Sequence, residues 1–234
     1  MINRLPPTMH DNALTQEEPL VELSHVFLNF DDLQVLQDVS IKIYRGEFVV
    51  LHGSTGCGKS TVLRLIAGLL LPSAGAIRVA GEDIQDFSSL QRRWLRRAIG
   101  LMMQNSPLLE DRSILENVML PALAAETTIE EARQRAIAAL ARCHMSEWAN
   151  ARPIDLSSGQ RQQVCLARAV VNQPVLILAD EPAAHLDAAN AQNLINLLGE
   201  FANAGVTVIV ASHLLLAPRD VEYREIKFAA PQGV

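Results

Sequence analysis

The chain has 234 residues, 49% hydrophobic and 20% charged, enough to bury a sizeable core as one large domain or as a domain with a subdomain. A formal net charge of −6 argues against a generally basic nucleic-acid-binding surface, so nucleic acid is not an expected partner. Its three cysteines, Cys57, Cys143 and Cys165, lie far apart without a Cys-x-x-Cys pair and suggest neither a disulfide framework nor a zinc site.

In chain order, Met1 to Pro19 holds Pro6, Pro7 and Pro19 among polar residues and lacks the apolar stretch of a secretory signal, so residues 1–19 are expected to be a flexible tail before a folded domain at 20–234. Leu20 to Ile43 contains strand-like pieces such as Val39-Ser40-Ile41-Lys42-Ile43, whose alternation suits a half-exposed antiparallel sheet. Four aliphatic runs read as buried strands: Phe48 to Leu51, Ile99 to Met103, Val175 to Ala179 and Val206 to Ala211. Arg92, Arg93, Arg96 and Arg97 read as a solvated helix face, with attraction to an anionic membrane surface as the other reading. From Ile114 to Trp148 charged and alanine-rich positions interleave at helical spacing, marking a helical insert within a subdomain at about 106–165. The apolar run Leu65 to Leu71 falls far short of the roughly 18 residues a spanning helix needs, so a membrane role would require a partner.

Each strand-like run stops at a group able to handle phosphate or water: the Gly53 loop, Gln104, the Asp180-Glu181 pair, and Ser212-His213. In open α/β sheets ligands collect outside the carboxyl ends of parallel strands, so these four endings predict one site. Gly53-Ser54-Thr55-Gly56-Cys57-Gly58-Lys59-Ser60 fits the phosphate-loop pattern between an apolar strand and a helix continuing through Val62 to Ala67. Glycines let successive N–H groups face phosphate oxygens, and the helix presents its positive end to the same charge. Lys59 is expected to reach the β- and γ-phosphates of ATP, Ser60 to ligate Mg²⁺ directly, and Thr61 to sit near the α-phosphate.

Asp180 and Glu181 place two carboxylates at a strand end, where Asp180 would serve the Mg²⁺ shell and Glu181 would act as general base or orient the attacking water. Taken alone, the pair reads equally as a solvated acidic turn before Pro182. His213 alone reads more simply as structural; beside a phosphate loop its imidazole can contact the γ-phosphate and the attacking water. Gln104 likewise is either a polar loop residue or an amide touching metal and water.

Leu156-Ser157-Ser158-Gly159-Gln160-Arg161-Gln162-Gln163, followed by Leu166-Ala167-Arg168-Ala169, resembles the signature motif of ABC-type ATPases. With the Gly53 loop, Gln104, Asp180-Glu181-Pro182, Ala184-His185-Leu186-Asp187 and His213 in that family's order, the resemblance spans about Leu20 to His213. It implies an α/β P-loop NTPase fold: a RecA-like core, an antiparallel β-subdomain and a helical subdomain. It also implies a homodimer sandwiching two ATP molecules, in which Ser157, Ser158, Gly159 and Gln160 meet the nucleotide of the opposite subunit, and Phe30 stacks on adenine. Gln104 to Ser113, with Glu116-Asn117-Val118, resembles most the cell-division branch of the family, close to its lipoprotein-release and macrolide-efflux branches. That implies an integral membrane partner and peripheral placement on the cytoplasmic face of the bacterial inner membrane. Leu108, Leu109 and Met119 are candidate apolar contacts to the partner, with simple core packing the plainer reading of each.

Three departures from the family pattern bear on turnover. Ser158 stands where Gly is usual, which strains the loop if that position needs a positive φ and is harmless at an ordinary helix start. Ala183-Ala184-His185 replaces the more usual Thr-Gly-Asn, and Leu214 follows His213 where Asp is common. Activity is expected to persist, at a slower rate, because Lys59, Ser60, Asp180, Glu181 and His213 are all present.

Overall fold

The structure is a computed structural model that describes residues 18–31, 33–104 and 107–229, so most of the expected tail, together with Asn105 and Ser106 of the family motif, lies outside the described residues. Strands β1 (Val21–Phe30) and β2 (Leu33–Ile43) pair antiparallel, and β1 also pairs antiparallel with β4 (Ala74–Val79), which carries the short β5 (Glu82–Asp83) at its far edge. Along β2 Ile41 and Ile43 are buried while Ser40 and Lys42 are exposed, the alternation expected of a sheet with one wet face.

The central sheet is parallel and five-stranded: β6 (Ile99–Met102), β7 (Leu176–Asp180), β8 (Thr207–Ser212), β3 (Phe48–Gly53) and β9 (Tyr223–Phe228), in that spatial order. In β6, β7, β8 and β3 the runs are mostly apolar because both faces are covered. Phe48, Val50, Ile177, Ala179, Val208 and Val210 belong to one core cluster, shared with helices α3 (Ile114–Ala124), α4 (Ile129–Arg142), α5 (Ser158–Val170) and α6 (Ala188–Asn203). Val49, Leu51, Leu176, Leu178, Ile209 and Ala211 point the other way, into a second cluster with α1 (Lys59–Ile66), α2 (Ser89–Ala98) and the antiparallel sheet.

The four predicted runs are all strands of this sheet, displaced by a residue or two. The polar residues at their ends belong to the ladder itself: Asp180 pairs with Ala211, and His52 pairs with Ser212. The strand β9, beyond the reach of the family resemblance, closes the sheet on the far side of β3. Of the four arginines of α2, Arg93 is exposed, while the other three bind neighbouring groups. Arg92 Nη1 donates to the Ile84 carbonyl (3.4 Å), Arg96 Nη1 to the Gly68 carbonyl (3.3 Å) and Arg97 to Glu126 (3.4 Å), tying the helix to its neighbours. Among the described residues no helix is long and apolar enough to cross a membrane.

Candidate nucleotide site

The loop between β3 and α1 turns on two glycines that admit no side chain. Gly58 has a φ of +96°, and a Cβ there would meet Leu36 Cδ2 at 2.6 Å. A Cβ on Gly53 would meet the Phe228 carbonyl oxygen at 2.3 Å and Cys57 Sγ at 2.8 Å. The helices α2, α3, α4, α5 and α6 each have a side-chain cap, from Ser88, Ser113, Thr128, Ser157 and Asp187, whereas Gly58 at the start of α1 offers none. First-turn amides have no acceptor within their own helix, so the start of α1 opens as an uncapped positive end. It faces a cavity of about 230 Å³ lined by Thr55, Gly56, Gly58, Lys59, Ser60 and Thr61 from the loop and helix, with Gln104, Glu181, Ala184, His185 and His213 opposite.

The Lys59 ammonium is buried and donates to the carbonyls of Gly53 (2.7 Å) and Ser54 (2.9 Å), with Glu181 Oε1 at 3.8 Å. Cys57 is buried, its Sγ lies 3.8 Å from Lys59 Nζ, and it does not line this cavity. Asp180 is 1% exposed at the end of β7. Its Oδ1 accepts a 2.6 Å hydrogen bond from Ser60 Oγ, while its Oδ2 is buried without a partner. Burial raises the Asp180 carboxyl above its ordinary range, against the lowering effect of the Ser60 hydrogen bond and of Arg64. An orphaned buried carboxylate oxygen calls for a ligand, and a hard oxygen beside a serine hydroxyl fits Mg²⁺. Gln104 lines the same cavity and adds an amide oxygen.

Glu181 follows with a φ of +47°, a turn that swings its carboxylate toward the cavity; His213 Nδ1 lies 2.8 Å from Glu181 Oε2. Because a carboxylate only accepts, Nδ1 carries the proton in this contact. His185 has a φ of +70°. The left-handed region tolerates Asn and His better than most side chains, which explains physically why His can replace the family's usual Asn here. Sequence reasoning did not assign His185 or Ala184 to the cavity, although both sit in a quoted family motif.

The remaining predicted residues lie elsewhere on the chain. Phe30 ends β1 with its side chain half-exposed, available as a flat apolar platform. Ser157 caps α5: its Oγ accepts from the Gln160 N–H (3.3 Å), and Gln160 Oε1 accepts from the Ser157 N–H (2.9 Å). Ser158 is the first residue of that helix and outside the positive-φ region, so its Cβ strains nothing. Gly159 packs against the start of α6, where a Cβ would meet Asn190 at 3.0 Å. None of these residues lines the cavity at α1. Of the three candidate docking contacts, Leu108 and Met119 pack in the core, the plainer reading, and only Leu109 is exposed.

The ABC transporter family pattern matches residues 36–184. The chain is 42% identical over 180 residues to the cell division ATP-binding protein FtsE of Escherichia coli K12, covering 77% of this chain and 81% of that protein. It is 36% identical over 185 residues to the lipoprotein-releasing system ATP-binding protein LolD of Buchnera aphidicola, covering 78% and 81%. The dimeric structure of the bacterial ABC transporter cassette MJ0796 superposes with a TM-score of 0.76 at 33% identity, over 83% of this chain and 88% of that one. The same cassette also superposes in a post-hydrolysis state bound to ADP and Pi, with a TM-score of 0.75, 33% identity and the same coverage. A phosphate-loop α/β domain with a signature helix is thus the class of molecule that fold and site define. The chain belongs to the ABC transporter family, as an ATP-binding subunit of the ATP-hydrolysing type.

Proposed function

We propose that two copies of this chain close on two Mg-ATP molecules and hydrolyse them to drive a conformational change in an integral membrane partner of the FtsX type, at the cytoplasmic face of the bacterial inner membrane. The observation that carries the hydrolytic part is the placement of Glu181 on the cavity wall, 3.8 Å from Lys59 Nζ and 2.8 Å from His213 Nδ1. In this reading the first-turn amides of α1 and the Lys59 ammonium hold the phosphates, and Ser60, Asp180 and Gln104 hold the metal. When bound, Mg²⁺ would offset charge on the transferring phosphoryl group. The Glu181 carboxylate orients a water in line with the γ-phosphorus and takes its proton, while the His213 ring holds that carboxylate in place.

The signature helix supports the dimer. Ser157 Oγ accepts from the Gln160 amide, which leaves its hydroxyl proton free for an acceptor outside the chain. Together with the positive end of α5, that donor suits the γ-phosphate of a nucleotide held by a second copy, and Phe30 supplies a stacking surface for adenine. Residues 106–165 then act as a helical subdomain that moves with the membrane partner, with Leu109 as the exposed apolar contact.

The cell-division type is favoured by the identity to FtsE over four-fifths of that protein and by the run Leu108-Leu109-x-Asp111-Arg112. The likeness to LolD favours a second reading, the ATPase of a lipoprotein-release or macrolide-type exporter. Co-expression with an FtsX-like permease and, separately, with a lipoprotein-release permease distinguishes the two. The first should co-purify from detergent-solubilised membranes and stimulate ATP hydrolysis. Stimulation by the release-type permease alone would overturn the division reading.

A further inference from the structure

We propose that His52 is a positioning residue for His213: braced by Glu225, its ring pins the main chain of His213 and so holds the imidazole that reaches Glu181. The inference rests on the reading of His213 and Glu181 given above.

His52 is the penultimate residue of β3, opposite Ser212 of β8 on one side and Lys227 of β9 on the other. Its Nε2 lies 3.2 Å from the His213 carbonyl oxygen and its Nδ1 lies 3.0 Å from Glu225 Oε1. With the 2.8 Å contact from His213 Nδ1 to Glu181 Oε2, the line Glu225, His52, His213, Glu181 crosses from the sheet edge at β9 to the end of β7. Beyond the end of β8 the chain runs exposed through Leu214 and Leu215, with the Leu214 N–H donating to Ser212 Oγ at 3.0 Å. The ring of His52 is therefore a main tether of this turn.

A carbonyl oxygen and a carboxylate both only accept, so each contact needs an N–H on the ring nitrogen that makes it. Glu225 fixes the ring through Nδ1 and so aims Nε2 at the His213 carbonyl.

The test uses the full chain with Mg-ATP, comparing kcat and KM. His52→Leu should lower kcat on the order of 10-fold with KM within about twofold, because the defect lies in placing His213 and not in holding ATP. His52→Gln, whose amide also donates, should keep kcat within about twofold of wild type. Glu225→Leu, which frees the ring, should lower kcat in the same direction with KM again little changed. A wild-type kcat in His52→Leu, or a His52→Gln as slow as His52→Leu, would overturn the inference. His213→Ala separates this failure from that of the parent reading. If His213→Ala is inactive and His52→Leu is unaffected, only the tether falls; if His213→Ala keeps full turnover, the role of His213 itself falls and the tether with it.

Discussion

Ser60 Oγ donates to Asp180 Oδ1 at 2.6 Å, joining the first turn of α1 to the end of β7 across 120 residues of sequence, and leaves Asp180 Oδ2 buried with no partner. The strand order explains the meeting. The ends of β7 and β3 flank β8 in the parallel sheet, so the loop after β3 and the carboxylates after β7 open on one edge. The carboxyl group is held out of water at a cost that a cation would offset.

That cost sets a pH dependence. A carboxyl whose folded-state pKa lies above its ordinary value of 3.8 favours folding below that value and loses the advantage as pH climbs through the raised one. Asp180→Asn removes the loss. Without nucleotide, the variant is therefore expected to melt above wild type at neutral pH, with the difference closing toward about pH 4. With Mg-ATP the order should reverse, because only the wild type gains a metal contact. Scanning calorimetry at both pH values checks this, and a constant offset across the range would contradict it.

Glu181→Gln keeps the size of the side chain and its neighbours Lys59 and His213 but removes the proton acceptor. Turnover is expected to fall at least about 100-fold while ATP binding persists. Unhydrolysed ATP should then hold two copies together, so light scattering with Mg-ATP should report a dimer. Phosphate release at the wild-type rate would show that Glu181 does not handle the water.

Asn117 gives the family-like run before it a structural meaning. Fully buried in α3, it accepts from the Leu109 N–H at 2.7 Å and donates to the carbonyls of Leu109 at 3.0 Å and Ser113 at 2.9 Å. It thereby fastens the loop from Leu109 to Ser113 to the helix. Asn117→Ala leaves those buried groups unpaired and is expected to cost about 3 kcal/mol in urea unfolding. A loss below about 1 kcal/mol would mean that water replaces the amide.

Much of this was legible in the sequence. The strands of the central sheet were readable because both faces are covered and their runs stay apolar, and the phosphate loop was readable because its glycines are sterically required. The edge strand β9 was not. Tyr223 to Phe228 mixes charged and aromatic residues and pairs on one side only, so it carries no buried-strand pattern. His52 and Glu225 escaped notice for a related reason: they lie 173 residues apart and meet only through the β3–β9 ladder. Ser158 raised a conformational question that the sequence could not close, since the answer depends on whether the helix begins before or after it. It begins at Ser158.

If the loop from Gly53 to Ser60 holds the phosphates of ATP with Lys59 as their counter-charge, removing that charge must weaken nucleotide binding. Calorimetric titration of Mg-ATP into the wild type and Lys59→Ala decides the matter. Saturable binding to the wild type is expected, with an affinity lower by about 10-fold to 100-fold in the variant. Equal binding by both proteins would show that the loop does not hold the phosphates.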